Sequence, residues 1–272
     1  MSFRRTVVHT LFAAPLVLSL VAACSSSKKT ATTTSAAPTT AATASSTTSG
    51  SAPTTAGSST TTSAGQPSGC RTGPGTVPAG AHSKQVADVD GDGKPDTAWI
   101  TGPSTATGAV TFGISTAAGG GATTSFTSAS PVERSALVVD ADQQGPVEII
   151  LSDGRAASLY AFKDCAISKV LNPQGQVYAF DLGDRVGTGS GIGCVDTPAG
   201  RRLAGLNARP SPDGTTVTWT RTVIELDGLA AHNGAVTTGV YHLPADKAKV
   251  ALLDDITCGS LTIHHDGVTA GP

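Results

Sequence analysis

Nine residues, Asp88-Val-Asp-Gly-Asp-Gly-Lys-Pro-Asp96, constrain this chain more than any other stretch. Asp88, Asp90, Asp92 and Asp96 fall at positions 1, 3, 5 and 9 of a loop, with Gly91 and Gly93 between them. Four carboxylates this close repel one another unless a cation sits among them. Ca²⁺ suits such a set, because it takes several oxygen ligands at roughly 2.3–2.6 Å in a flexible shell. Gly93 permits the sharp turn that lets the Lys94 carbonyl join the shell while the Lys94 side chain points to water. The expected ligands are therefore Asp88, Asp90, Asp92, Lys94 and Asp96. The competing reading is an ordinary Asp/Gly turn between strands. Ordinary turns rarely stack four acids in this order.

An EF-hand needs a bidentate Glu at position 12 and a helix on each side. Position 12 here is Trp99, and the flanks, 84–87 and 97–100, read as strands. The combination of strand, DxDGDGxxD loop and strand resembles the FG-GAP/VCBS repeat, the calcium-loop unit of integrin-type β-propellers. The resemblance is specific over residues 86–101, VADVDGDGKPDTAWIT, and weaker elsewhere. It implies a β-propeller unit and bound calcium. It implies no single activity, since propeller-type repeats host adhesion, sugar binding and catalysis alike.

Residues 1–23 read as an export signal, with Arg4 and Arg5 ahead of an apolar stretch that ends in small residues. Leu20-Val-Ala-Ala-Cys24 looks like a bacterial lipobox with Cys24 as the lipidated residue, which would anchor the protein to the membrane on its extracytoplasmic face. The apolar run is short for a span of roughly 20 residues. Residues 25–68 are almost entirely Ser, Thr, Ala, Pro and Gly with Lys28 and Lys29 the only charges, too polar to bury a core, and are expected to form a disordered stalk. About 44 such residues reach roughly 35–40 Å.

Residues 69–272 are expected to form one all-β domain. Strand patterns occur at 108–115, 135–140, 147–151, 158–162, 176–181, 215–226, 235–243 and 261–264, with turn signatures such as Ser152-Asp-Gly-Arg155 between them. Self-comparison finds an echo of the acidic loop about 52 residues on. Asp140, Asp142 and Glu148 take the first, third and ninth positions, and Gln144 replaces the fifth acid. A third echo at 194–206 keeps Asp196 alone, followed by Pro198, Arg201 and Arg202. The spacing is close to one propeller blade, so the fold expected is a small propeller-like domain of about three to four FG-GAP-type units. Of the three loops, only the first is expected to hold calcium.

Cys70, Cys165, Cys194 and Cys258 are an even set in an exported domain and read as two disulfides, with three pairings open. The pairing expected is Cys165–Cys194 between neighbouring units, with Cys70–Cys258 joining the ends. No CxxC pair suggests zinc.

The glycine-rich run 187–193 is expected to be a loop before a strand, since it lacks a following helix signal and fits neither a dinucleotide fingerprint nor a nucleophile elbow. His264 and His265, adjacent on an expected strand, would face opposite sides. Trp99 and Trp219 are expected in the core. A net charge of −2 with 14% charged residues gives no footprint for nucleic acid. The function expected is a surface-tethered binding module for a protein or glycan, without catalysis. The alternative is an exported hydrolase, to which Asp181, Asp184, Asp254 and Asp255 could contribute.

Overall fold

Runs of consecutive apolar residues, such as Ala136-Leu-Val-Val139 and Leu159-Tyr-Ala-Phe162, mark a sheet buried on both faces, because successive side chains point opposite ways. The computed structural model, which describes residues 69–104, 107–128, 130–182 and 189–270, places these runs in a middle layer. The export signal, Cys24 and the linker to residue 68 lie outside the described residues, as does Asp184.

Three antiparallel meanders of four strands make up most of the domain. The first comprises β1 (His82–Val86), β2 (Asp96–Ile100), β3 (Ala109–Ser115) and β4 (Gly121–Thr127). The second comprises β5 (Ser135–Val139), β6 (Val147–Ser152), β7 (Ala156–Lys163) and β8 (Ala166–Lys169), extended by β9 (Ala179–Asp181) alongside β7. The third comprises β10 (Gly189–Thr197), β11 (Gly200–Pro210), β12 (Thr216–Asp227) and β13 (Ala230–His242). After it come a short helix α1 (Lys247–Ala251), a 3₁₀ turn (Leu252–Asp254) and the small pair β14 (Thr257–Cys258) and β15 (Leu261–Thr262). Helix α2 (Ile263–Asp266) follows, and β16 (Val268–Thr269) returns to the free edge of β5.

The cores alternate with the pleat. Ala136, Val138, Ile149 and Leu151 of the second sheet pack with Ile100, Phe112 and Ile114 of the first. Leu137, Val139, Ile150 and Leu159, on its other face, pack with Ile192, Leu203 and Ile224 of the third. A one-residue slip of β5 or β6 would exchange these two cores, so the register is tightly specified. In the first sheet the buried Trp99 lies over Gly113, its cross-strand neighbour, where a Cβ would stand 2.2 Å from the indole. Its Nε1 donates to Ser115 Oγ at 3.0 Å.

The molecule is all-β, and none of its sheets closes on itself among the described residues. The following details differ from the sequence reading. The stretch 261–264 starts as a strand but turns into α2, because the Thr262 hydroxyl accepts His265 N–H and Asp266 Oδ2 accepts Thr262 N–H. The third echo lies in the β10–β11 hairpin: Asp196 is inside β10, and Thr197 pairs with Gly200 across a two-residue turn. The disulfides are Cys70–Cys165 and Cys194–Cys258, not the pairing expected. The layering explains them. Cys70 and Cys165 belong to the core between the first and second sheets, whereas Cys194 and Cys258 belong to the core between the second and third. The middle sheet separates Cys165 from Cys194.

Candidate metal centre

The two acidic loops occupy the same place in successive sheets, the first joining β1 to β2 and the second joining β5 to β6. Their hydrogen bonds correspond position by position. In the first loop Val89 N–H donates to Asp96 Oδ2 at 2.8 Å, and in the second Ala141 N–H donates to Glu148 Oε2 at 2.8 Å. Gly91 N–H donates to Asp88 Oδ1 at 2.7 Å, and Gln143 N–H donates to Asp140 Oδ1 at 2.7 Å. Asp92 N–H donates to Asp90 Oδ1 at 3.2 Å, and Gln144 N–H donates to Asp142 Oδ1 at 2.9 Å. Gly91 has φ 77° and Gln143 has φ 60°, so position 4 is left-handed in both loops. Glycine adopts that conformation without strain, whereas glutamine is held in it at a cost.

The first loop gathers charge. One carboxylate oxygen each from Asp88, Asp90 and Asp96 lies within 4.8 Å of the others. Asp88 accepts from Gly91, Asp92 and Gly93 N–H, which pins it against the turn. Asp90 Oδ2 accepts Cys70 N–H at 2.7 Å, tying the loop to the residue bridged to Cys165. Asp96 is buried at the start of β2 and accepts Val89 N–H on one oxygen and Ala117 N–H on the other. Burial raises its pKa; the two backbone donors oppose this, and the charges of Asp90 and Asp88 add to it. Asp92 stands apart from the trio, its Oδ1 accepting Lys94 N–H at 2.8 Å. Among the described residues no basic side chain forms an ion pair with Asp88, Asp90 or Asp96. An all-oxygen donor set whose three converging carboxylates have no ion pair among the described residues fits a hard cation such as Ca²⁺.

The second loop handles its charge differently. Arg201, on β11, reaches across to it: Nε donates to the Ala141 carbonyl at 3.1 Å, and Nη2 donates to the Asp140 carbonyl. A guanidinium thus stands at this loop, supplied by the residue that the sequence placed in the third echo. Glu148 is buried, and burial pushes its pKa up to about 7; the Ala141 donor opposes the shift, and the charges of Asp142 and Asp140 add to it.

The remaining candidates are scattered. Asp254 and Asp255 line a cleft of about 290 Å³ with Glu133 and His264, and His264 Nε2 lies 3.5 Å from Asp255 Oδ1. Asp181 stands at the end of β9. His265 Nδ1 lies 3.0 Å from Asp266, so the two adjacent histidines, on α2 instead of a strand, have separate partners. Trp219, expected in the core, is only half-buried on the third sheet. What the sequence reading missed is Arg201 as the partner of the second loop, since sixty residues separate it from Ala141 and nothing local signals the contact.

Comparison with protein-family models, with curated proteins and with solved structures returned no match.

Two outcomes follow from this geometry. Glu148 titrates near 4.5 unfolded and near 7 folded, so the fold binds the extra proton between those values. Its contribution to stability is complete below pH 4.5 and is lost as pH rises through about 7. Urea unfolding across this range should show a decline with an upper bound on the order of 3 kcal/mol from this group, and Glu148→Gln should flatten it. An unaltered slope would contradict the assignment. Arg201→Met should cost about 1–2 kcal/mol, the worth of losing charge-assisted hydrogen bonds at a half-buried site; unchanged urea stability would show that the contact carries no weight.

Proposed function

We propose that this protein is a membrane-tethered extracytoplasmic lipoprotein whose β domain is a calcium-stabilised binding module of the FG-GAP/VCBS type. The observation that carries this reading is the pair of equivalent loops, one converging Asp88, Asp90 and Asp96 with no ion pair to them among the described residues and the other met by Arg201. On this reading Asp88, Asp90, Asp92 and Asp96 and the Lys94 carbonyl hold one Ca²⁺, with Asp92 turning inward from Lys94 N–H to join the shell. The ion acts structurally: it neutralises the loop between β1 and β2 and, through Asp90 and Cys70, steadies the seam between the first two sheets. The lipobox at Leu20–Cys24 and the Ser/Thr-rich linker supply anchor and stalk. The three four-stranded meanders are read as blade-like units of a small propeller. The ligand of the module is a protein or a cell-wall glycan.

The second reading, an exported hydrolase, draws on the cleft that joins Glu133, Asp254, Asp255 and His264. Turnover of glycan, ester or phosphoester substrates that is lost in Asp255→Asn would favour it over a binding module.

Melting with and without calcium tests the central reading. One site of extracellular affinity, with Kd around 10⁻⁴–10⁻³ M, should stabilise the fold by about 1 kcal/mol at millimolar calcium. The gain should vanish in Asp90→Ala. A gain that survives this substitution, or no gain in the wild type, would refute it.

A further inference from the structure

The two tryptophans share one arrangement and differ in one respect. Trp219 on β12 lies over Gly239 of β13 as Trp99 lies over Gly113: a Cβ at Gly239 would stand 2.4 Å from the indole. Two residues beyond Gly113 stands Ser115, which accepts the Trp99 N–H. Two residues beyond Gly239 stands Tyr241, whose ring meets the Trp219 ring at 5.7 Å and offers it no hydrogen bond. The Trp219 N–H is buried and has no acceptor among the described residues. Buried indole donors ordinarily have one.

Trp219 and Tyr241 floor a cleft of about 210 Å³ between the third sheet and the segment 249–253. Leu206, Leu252 and Leu253 make its walls apolar, and Leu252 is 53% exposed. Two cations border it: Arg221 over the Trp219 ring at 5.7 Å and Lys249 over the Tyr241 ring at 5.5 Å. No Asp or Glu lines it. Lys249 is neutralised by Asp246 at 2.8 Å. Arg221 has no carboxylate partner among the described residues; its Nε donates to Thr237 Oγ1 at 3.2 Å. An apolar, aromatic-floored cleft with one uncompensated guanidinium at its border is complementary to an anion on an apolar body. Its volume is below the ~300 Å³ at which pockets for drug-sized ligands begin, which limits the body to a small one.

We propose that this cleft binds a small amphipathic carboxylate, its carboxylate on Arg221 and its apolar part against Leu252, Leu253 and the two aromatic rings. The site is independent of the calcium loop.

Octanoate is the probe, with octan-1-ol as its uncharged counterpart, titrated into the full chain by calorimetry and by tryptophan fluorescence. Saturable binding of octanoate is expected, with Trp219 emission following it. Octan-1-ol should bind about tenfold or more weakly, and Arg221→Met should weaken octanoate to a similar degree. Absence of saturable octanoate binding overturns the proposal. So does equal affinity for octan-1-ol, or octanoate affinity unchanged in a folded Arg221→Met. Should Arg221→Met fail to fold, the comparison of octanoate with octan-1-ol on the wild type decides.

Discussion

A buried carboxylate at the ninth loop position is the interaction on which the first two sheets depend. Asp96 and Glu148 each start or nearly start the second strand of a meander and turn back to accept the N–H of the second loop residue. That bond closes the loop on itself, and in the first loop the acids at positions 1 and 3 converge with the ninth in one small volume. It also places a carboxylate in a desolvated setting, which raises the pKa of both residues. Position nine therefore sets the geometry of each loop and creates the charge problem that each must solve.

The two loops solve it from opposite directions. In the second, a guanidinium arrives from the neighbouring sheet and binds backbone carbonyls, so the loop is braced by the protein's own cation. In the first, the acids lean on backbone N–H groups and on Cys70, and among the described residues no basic side chain forms an ion pair with the trio that converges. The Cys70–Cys165 bridge then connects this loop to the β7–β8 turn, where Asp164 and Cys165 are both left-handed with φ of 51° and 61°. Non-glycine residues in that region are strained, and the bridge and turn hold one another in place.

The sequence carried the loops and the strands around them, because charge spacing and strand patterns are local. Asp140, Asp142 and Glu148 were legible as the second loop by simple offset, and their hydrogen bonds repeat those of the first. Strands β4, β8, β10 and β11 escaped notice, since stretches such as Gly121-Ala-Thr-Thr and Gly200-Arg-Arg-Leu lack a clear apolar alternation and the glycines at 189, 191 and 193, which read as a loop, lie inside β10. The disulfide pairing was not legible, for it depends on which face of the middle sheet each cysteine shares. By sequence, Arg201 falls within the third echo. It acts instead on the second loop, a consequence of sheet stacking that no spacing rule encodes.

On the proposed reading, one loop takes an external cation and its twin an internal one. A crystal grown with calcium, with ions located by anomalous scattering, tests it most directly. One ion is expected in the first loop, at roughly 2.3–2.6 Å from Asp88, Asp90, Asp92 and Asp96 oxygens and the Lys94 carbonyl, with none in the second loop beside Arg201. Ions in both loops, or a first loop without one at millimolar calcium, would contradict the account.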